Sequence, residues 1–400
     1  MAATAERYTV ISSDCHAGGD ILDYRPYLEA KHLDAFDAWA SGFVNPFDDL
    51  ITTDAVRNWD SSKRMAELEA DGIVGEVLFP NTVPPFFPSG SLIAEPPTAA
   101  DLPLRWAGLQ AHNRWLADFC AEAPGRRAGV AQILLNDIDA AVAEVRWARE
   151  AGLFGGILLP GVPPDSALEP LFSPVYEPLW AVCEELSMPV NHHAGGAAPS
   201  YGWYEATPAI FIIEVAWFSH RVLWHLIFSG VFDRHPALKL VMTEQGSGWV
   251  PETLATLDSW YQRFGSGEHT AEVVFGGPTA ATMALSPSEY WARNCSVGAS
   301  MLRPDECAMR REIGVDRIMW GSDYPHLEGT HPYTSALLRH TFSGVPTDEV
   351  AMMLGGNAAS IYGFDLEALG KRAATVGPLV EDVATPLDKV PAGAPGSKFR

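Results

Sequence analysis

The chain has 400 residues, 47% of them apolar and 13 of them Trp, and its 50 acidic against 27 basic side chains give a formal charge of −23. That balance argues against nucleic acid and anionic membrane as partners, because both need a basic face, and it leaves small substrates open. Five scattered cysteines without CxxC spacing, a leading MAATAERYTV without an apolar signal core, and no 18-residue apolar run point to a cytoplasmic protein with reduced thiols.

Strand-like apolar runs fall at 8–13, 75–79, 128–135, 156–159, 189–192, 238–243, 290–297 and 317–321. Helical patterns such as 105–123, 138–151, 174–186 and 304–313 lie between them. Eight strands alternating with helices predict an α/β fold of the TIM-type (β/α)8 barrel class. The barrel is expected over 1–370, with insertions at about 24–60, 80–103 and 264–287 that form loops over its C-terminal mouth. Residues 371–400, rich in Pro, Ala and Gly, read as an extended arm or a disordered tail.

Four strings place acids or histidines at the ends of predicted strands. Asp14 and His16 sit two residues apart after the first run, so both can face the barrel mouth. A helix-capping Asp beside a surface His is the plainer reading of that pair. His192 and His193 follow the fifth run. Neighbouring strand residues face opposite ways, so one of the two is expected as a metal ligand and the other as a hydrogen-bonding or substrate-contacting group. Glu244 ends the sixth run; its plainer reading is an acid favoured by a helix N-terminus. Asp323 and His326, in WGSDYPH, end the eighth. Together they cluster on the face where TIM barrels carry their active sites.

Other residues point elsewhere. His220 and His225 lie in a helical stretch, His112 sits mid-helix and His235 precedes a proline. Strand parity turns Cys15 away from its neighbours Asp14 and His16. Ser247 lies in Gly-Ser-Gly, not in a nucleophile elbow. Phe86, Phe87, Tyr201, Trp203, Tyr204 and Trp249 lie in or beside the long loops and are candidates for a substrate pocket, with ordinary packing as the alternative.

With these residues in view, the chain resembles the amidohydrolase-related family, in the branch that includes aminocarboxymuconate-semialdehyde decarboxylase. The strings SDCHAG, NHHAGG, FSGVFDRHPALKLVMTEQGSGWVPETL, MWGSDYPHLEG and GNAASIYGF carry the likeness over roughly residues 8–365. It implies a (β/α)8 barrel with a catalytic divalent metal, ligated at Asp14, His16, His193 (or His192) and Asp323. Two positions depart from the decarboxylase pattern. The first strand carries Asp-x-His where His-x-His or Glu-x-His is usual, and Glu244 stands where a catalytic His is often found.

That substitution enriches the site in carboxylates. Asp14, His16, His193, Glu244, Asp323 and His326 make six potential ligands, while a mononuclear zinc site needs about three. Oxygen and imidazole donors suit Fe or Mn. The surplus, with a likeness to the dinuclear iron monooxygenase subgroup typified by aminoisobutyrate hydroxylase, favours an O2-dependent hydroxylase with a carboxylate-bridged dinuclear Fe or Mn/Fe site. In that reading Asp323, Glu244 and His192 are the catalytic residues. The alternative is a mononuclear Zn- or Mn-dependent hydrolase or decarboxylase in which the metal activates water or polarises the substrate. A small-molecule substrate is expected in both readings, and the insertions and C-terminal arm could join the chain to a second copy or to a related chain.

Overall fold

Strand β1 (Val10–Ala17) is buried at every position and β2 (Ile73–Pro80) at all but its last. Continuous burial is what a parallel strand covered on both faces requires. The computed structural model describes residues 6–45, 52–81, 83–89, 95–202 and 204–399. In it β1, β2 and β3 (Arg127–Gly129) form one parallel sheet. The segments β4 (Ala131–Gln132), β5 (Ile157–Leu158), β6 (Val190–His193), β7 (Leu240–Thr243), β8 (Cys295–Ser300) and β9 (Ile318–Gly321) form another, in chain order.

Two seams join these sheets into a ring. At Val130, between β3 and β4, the chain changes partner: Val130 N donates to Leu78 O at 3.0 Å, and Ala131 N to Gly156 O at 2.9 Å. At the other seam Asp323 N donates to Asp14 O at 2.9 Å and His16 N to Tyr324 O at 2.7 Å, so the extension of β9 runs parallel to β1. Counting β3 and β4 as one interrupted strand, eight parallel strands make the TIM-type barrel that the alternation of apolar runs predicts.

Helices α1 (Leu33–Gly42), α2 (Ser61–Ala70), α3 (Leu102–Ala121), α4 (Ile138–Glu150), α5 (Glu177–Glu185), α6 (Thr207–Phe228), α7 (Val231–Arg234), α8 (Val250–Phe264), α9 (Ala271–Ala280) and α10 (Pro287–Asn294) connect the strands up to β8. Asp60 and Asp137 cap α2 and α4 by accepting from Lys63 N and Ala140 N, satisfying donors that a helix start leaves free. Inside the ring Ile11, Val77, Val130, Val241 and Met319 pack together, with Tyr362 and Phe364 in the same cluster. A larger apolar layer, including Leu78, Val190, Leu240 and Trp320, lies between strands and helices.

Four segments differ from the sequence-based expectation. Residues 290–294 are the end of α10, not the start of a strand, because Ser286 and Glu289 form a capping box that starts a helix there. The expected loop 264–287 contains α9, started by Thr270 accepting from Val273 N. Helix α6 is long and apolar enough, by length and composition, to cross a membrane, and a third of its most apolar window is buried. Glu214 and Arg221 interrupt its apolar residues, so the sequence shows no uninterrupted apolar run there. Beyond residue 370 the chain finishes helix Leu366–Val376 and forms Val380–Ala384. It is bonded to the lead-in of β1: Tyr8 N donates to Pro378 O and Val380 N to Glu6 O, both at 3.0 Å. Of the other insertions, residues 46–51, 82 and 90–94 lie outside the described residues.

Candidate metal centre

The register between β1 and β2 shifts between Ser12 and Cys15, and beyond it Asp14 and His16 face the interior together. Close approach of β9 holds them there. A Cβ at Gly321 would lie 2.8 Å from the Asp14 Cβ, so only glycine leaves room. On β6 the alternation of side chains sends Asn191 and His193 inward and His192 outward. Glu244 follows β7 and Asp323 follows β9. Both adopt left-handed backbone angles, φ 54° and 57°, a conformation that non-glycine residues hold only where their surroundings impose it.

Five of these side chains, and His326 with them, converge. Asp14 Oδ1 lies 3.3 Å from His16 Nε2 and 3.5 Å from His193 Nε2. Asp323 Oδ1 lies 3.3 Å from His16 Nε2 and 2.9 Å from His326 Nδ1. Glu244 Oε2 is 3.2 Å from His193 Nε2. Asp14, His16, His193 and Glu244 each offer a ligand atom within 4.8 Å of the others; His16, Asp323 and His326 do the same, and Glu328 joins Glu244, Asp323 and His326 in a third overlapping group.

The outer nitrogen of each ring already has an acceptor. His16 Nδ1 is 3.3 Å from Pro80 O, His193 Nδ1 is 3.0 Å from Ala194 O, and His326 Nε2 is 3.1 Å from Asn81 Oδ1. An N–H donated outward leaves a lone pair on the inner nitrogen. Those lone pairs meet carboxylate oxygens: His16 Nε2, His193 Nε2, His326 Nδ1, Asp14 Oδ1 and both Asp323 oxygens are buried without a hydrogen-bond partner. Buried acceptors crowded together are costly unless a cation or extra protons lie between them. The donor set therefore fits a divalent cation with an oxygen and imidazole preference.

Protons take that place when no cation does. Burial works to lower the His16 pKa, yet Asp14 and Asp323 raise it well above the ordinary value. His193 is raised too, against burial, by Glu244 and Asp14. Burial opposes ionisation of Asp14 and Asp323, but the neighbouring imidazoles hold both below the usual carboxylate range. Glu244 goes the other way. Burial, with Asp323 and Asp14 adding to it, pushes its carboxyl up to about 7 despite His193.

Groups not apparent from sequence complete the arrangement. Ser300 Oγ, at the end of β8, donates to Asp14 Oδ2. Arg64 donates to the His16 carbonyl at 2.7 Å and pairs with buried Glu76, which also binds Arg127. Asn81 takes a single place in a loop yet fixes His326. A serine at a strand end was the one readable signal among them.

A cavity of about 350 Å³ opens beside His16, His193 and His326. Of the predicted pocket aromatics, Phe87 lines it. Phe86 instead packs on Phe36 and Trp39. The Tyr201 hydroxyl donates to Glu214 at 2.6 Å, and Trp249 stacks on His220 with ring centroids 3.8 Å apart. Tyr204 is exposed, and Trp203 lies outside the described residues. These loop aromatics are drawn to nearby helices, and the strand-end residue Phe79 takes their place on the cavity wall. His192 also stands apart. Its Nδ1 is 3.2 Å from Leu159 O, and burial lowers its pKa to about 4. Cys15 is buried with its thiol pushed up to about 12 by burial, which leaves no nucleophile there.

The family model for amidohydrolases matches residues 64–364, three quarters of the chain and most of the barrel. The chain belongs to the amidohydrolase family. Among curated relatives, this amidohydrolase is 28% identical over 229 residues to gamma-resorcylate decarboxylase of Rhodococcus jostii, across 53% of its own length and 64% of that relative's. The match thus falls short of the relative's full length. Among solved structures it is similar to 5-carboxyvanillate decarboxylase from Sphingomonas paucimobilis, with TM-score 0.63 and 21% identity over 89% of this chain and 99% of that one. It is also similar to the Novosphingobium aromaticivorans 5-carboxyvanillate decarboxylase with bound manganese, with TM-score 0.66 and 20% identity over 89% and 97%.

These relatives correct the functional expectation. They are decarboxylases, and the Novosphingobium one carries manganese, so the O2-dependent hydroxylase favoured from ligand counting is set aside in favour of its alternative. A count of candidate ligands names the atoms that can surround a cation but not the reaction. His192, expected as a catalytic residue, belongs to the outer layer, and Glu244 keeps its place among the grouped acids and imidazoles.

Proposed function

We propose that this amidohydrolase is a decarboxylase of a small, largely apolar or aromatic carboxylic acid, working with one divalent cation of the manganese type. The observation that carries the reading is the set of buried, partnerless acceptors on Asp14, His16, His193 and Asp323, gathered about His16, whose Nε2 lies 3.3 Å from both Asp14 Oδ1 and Asp323 Oδ1. Decarboxylase activity among the relatives gives that cluster its chemistry. Those four residues would hold the cation, with His326 beside them. Such a cation supplies a Lewis acid that offsets negative charge on substrate oxygens.

The rest is work for the chain's own groups. Phe79, Phe87 and Leu158 on the cavity wall keep water from the reacting carbon. When the bond to the carboxyl carbon breaks, CO2 leaves and its electron pair stays on the substrate carbon, which needs a proton. Glu244, whose carboxyl burial and the neighbouring Asp323 and Asp14 push up to about 7 against His193, so that a share of it carries a proton at neutral pH, is the donor, and solvent restores its proton. Asp14 and Asp323 stay ionised beside it. Carboxyls pushed in opposite directions by one site divide acid and ligand roles between them.

The test is CO2 release by the manganese-loaded protein offered 2,6-dihydroxybenzoate, 5-carboxyvanillate and a panel of related aromatic acids. Turnover with at least one, abolished by chelator, is expected. A folded, manganese-bound protein that releases no CO2 from any of them would overturn the reading.

A further inference from the structure

The loop between β9 and helix Thr334–Phe342 carries two of the site residues, Asp323 and His326. Its two ends are pinned from α2 and the residue that caps it. The Tyr324 hydroxyl donates to Glu67 at 2.5 Å, and His331 Nδ1 lies 2.9 Å from Asp71 Oδ2. The tip, Leu327–Gly329, is held differently. Leu327 is 71% exposed and Glu328 is exposed too, so apolar burial does not anchor it. Yet the tip folds back closely: Gly329 N donates to His326 O at 3.1 Å, and a Cβ on Gly329 would lie 2.5 Å from Asp323 O. A tip that swung away would therefore disturb the backbone of both site residues.

A cation reaches this tip from the far end of the sequence. Lys398, in the 3-10 turn Gly396–Phe399, donates to Leu327 O at 2.8 Å and also to Gly329 O. Among the described residues no backbone N–H donates to either carbonyl. An ammonium has three freely turning donors and can bridge two such acceptors. Lys398 is half-buried; burial lowers its pKa, and Glu328 and Asp323 oppose that. Helix Thr334–Phe342, which follows the loop, also anchors the incoming chain. Its Arg339 donates to Thr385 O at 3.1 Å and Pro386 O at 2.7 Å, and its His340 ring meets Phe399 edge-on, with centroids 5.6 Å apart. Loop and turn thus hang from one helix, and Lys398 joins them across the gap.

We propose that Gly396–Phe399 is a strap on the metal-site loop, with Lys398 as a positioning residue that keeps the tip folded and so keeps Asp323 and His326 in place around the cation. Lys398 itself touches neither substrate nor cation. The inference rests on the cation-binding part of the proposed function and is independent of decarboxylation.

The experiment compares the full chain with Lys398→Met, Lys398→Arg and a chain ending at Pro395. Manganese affinity is measured by calorimetry, and exchange of the Gly329 and Thr330 amide hydrogens is measured in the metal-free proteins. Lys398→Met and the shortened chain should bind manganese about tenfold more weakly, as when a group that orients ligands is lost. Both amides should exchange about tenfold faster in them, through local opening. Lys398→Arg keeps the charge and the donors, and should stay within about threefold of wild type. Melting temperatures of the metal-free proteins should agree within about 4 °C, because two hydrogen bonds add little to a chain of this size. Manganese affinity unchanged in Lys398→Met, or exchange unchanged, overturns the proposal. If the wild type binds no manganese, faster exchange in Lys398→Met keeps the strap and discards the cation reading.

Discussion

Removing the cation should lower the melting temperature of this protein, and should do so more at pH 8 than at pH 6. At a thousandfold excess over its Kd, a bound ion stabilises the folded state by about 4.1 kcal/mol. A chain of 400 residues unfolds with an entropy of about 0.8 kcal/mol per kelvin, so the expected rise is ~5 °C. Protons compete for the same atoms. His16 and His193 both have raised pKa values, because burial is outweighed by Asp14 and Asp323 at His16 and by Glu244 and Asp14 at His193. The cation must displace such a proton, and one displaced proton weakens apparent affinity about tenfold per pH unit. Going from pH 8 to pH 6 at constant manganese cuts the excess from about a thousandfold to about tenfold. The contribution falls to about 1.4 kcal/mol, or ~2 °C. The metal-free protein should show the opposite trend. Stability from a ring with a raised folded pKa is complete below about pH 6.5 and is lost as pH rises through the raised value. The assay is thermal melting of chelator-treated protein with and without MnCl2 at both pH values. A manganese shift of zero at pH 8, or one larger at pH 6, would refute the reasoning.

Four substitutions probe the site and its supports. Glu244→Gln should lower kcat at least about 100-fold, as loss of a general acid does, with manganese retained when measured by elemental analysis. Asn81→Ala removes the acceptor that orients His326, and manganese affinity should fall about tenfold or more. Gly321→Ala drives a methyl into Asp14; manganese affinity should drop while far-ultraviolet circular dichroism stays unchanged. Glu76→Gln leaves Arg64 and Arg127 without their buried partner and should cost about 3–5 kcal/mol, read as a lower denaturation midpoint.

The barrel was legible because its strands are buried on both faces and stand out as apolar runs, and because four of the runs end in acids or histidines. Spacing alone put Asp14 and His16 together. The choice between His192 and His193 stayed open because parity says that the two face opposite ways without saying which way is in. Residues 290–294 were misread for their aromatic, strand-prone character, although the Ser286 and Glu289 capping pair was written in the sequence. Asn81 left no pattern to find. It is a single polar residue whose meaning depends on the His326 ring that folds opposite it. Reaction type was least legible, because a list of acids and imidazoles does not say which of them keeps its proton.

Glu244 and Asp323 both hold their backbone in a conformation that glycine or asparagine tolerates better, at a cost of roughly 1 kcal/mol each. Drift at these two codons would thus tend toward a sturdier barrel that has lost its chemistry. A bench search for heat-resistant variants that ignores activity should find Glu244→Gly early, so any such search on this scaffold must select for turnover at the same time.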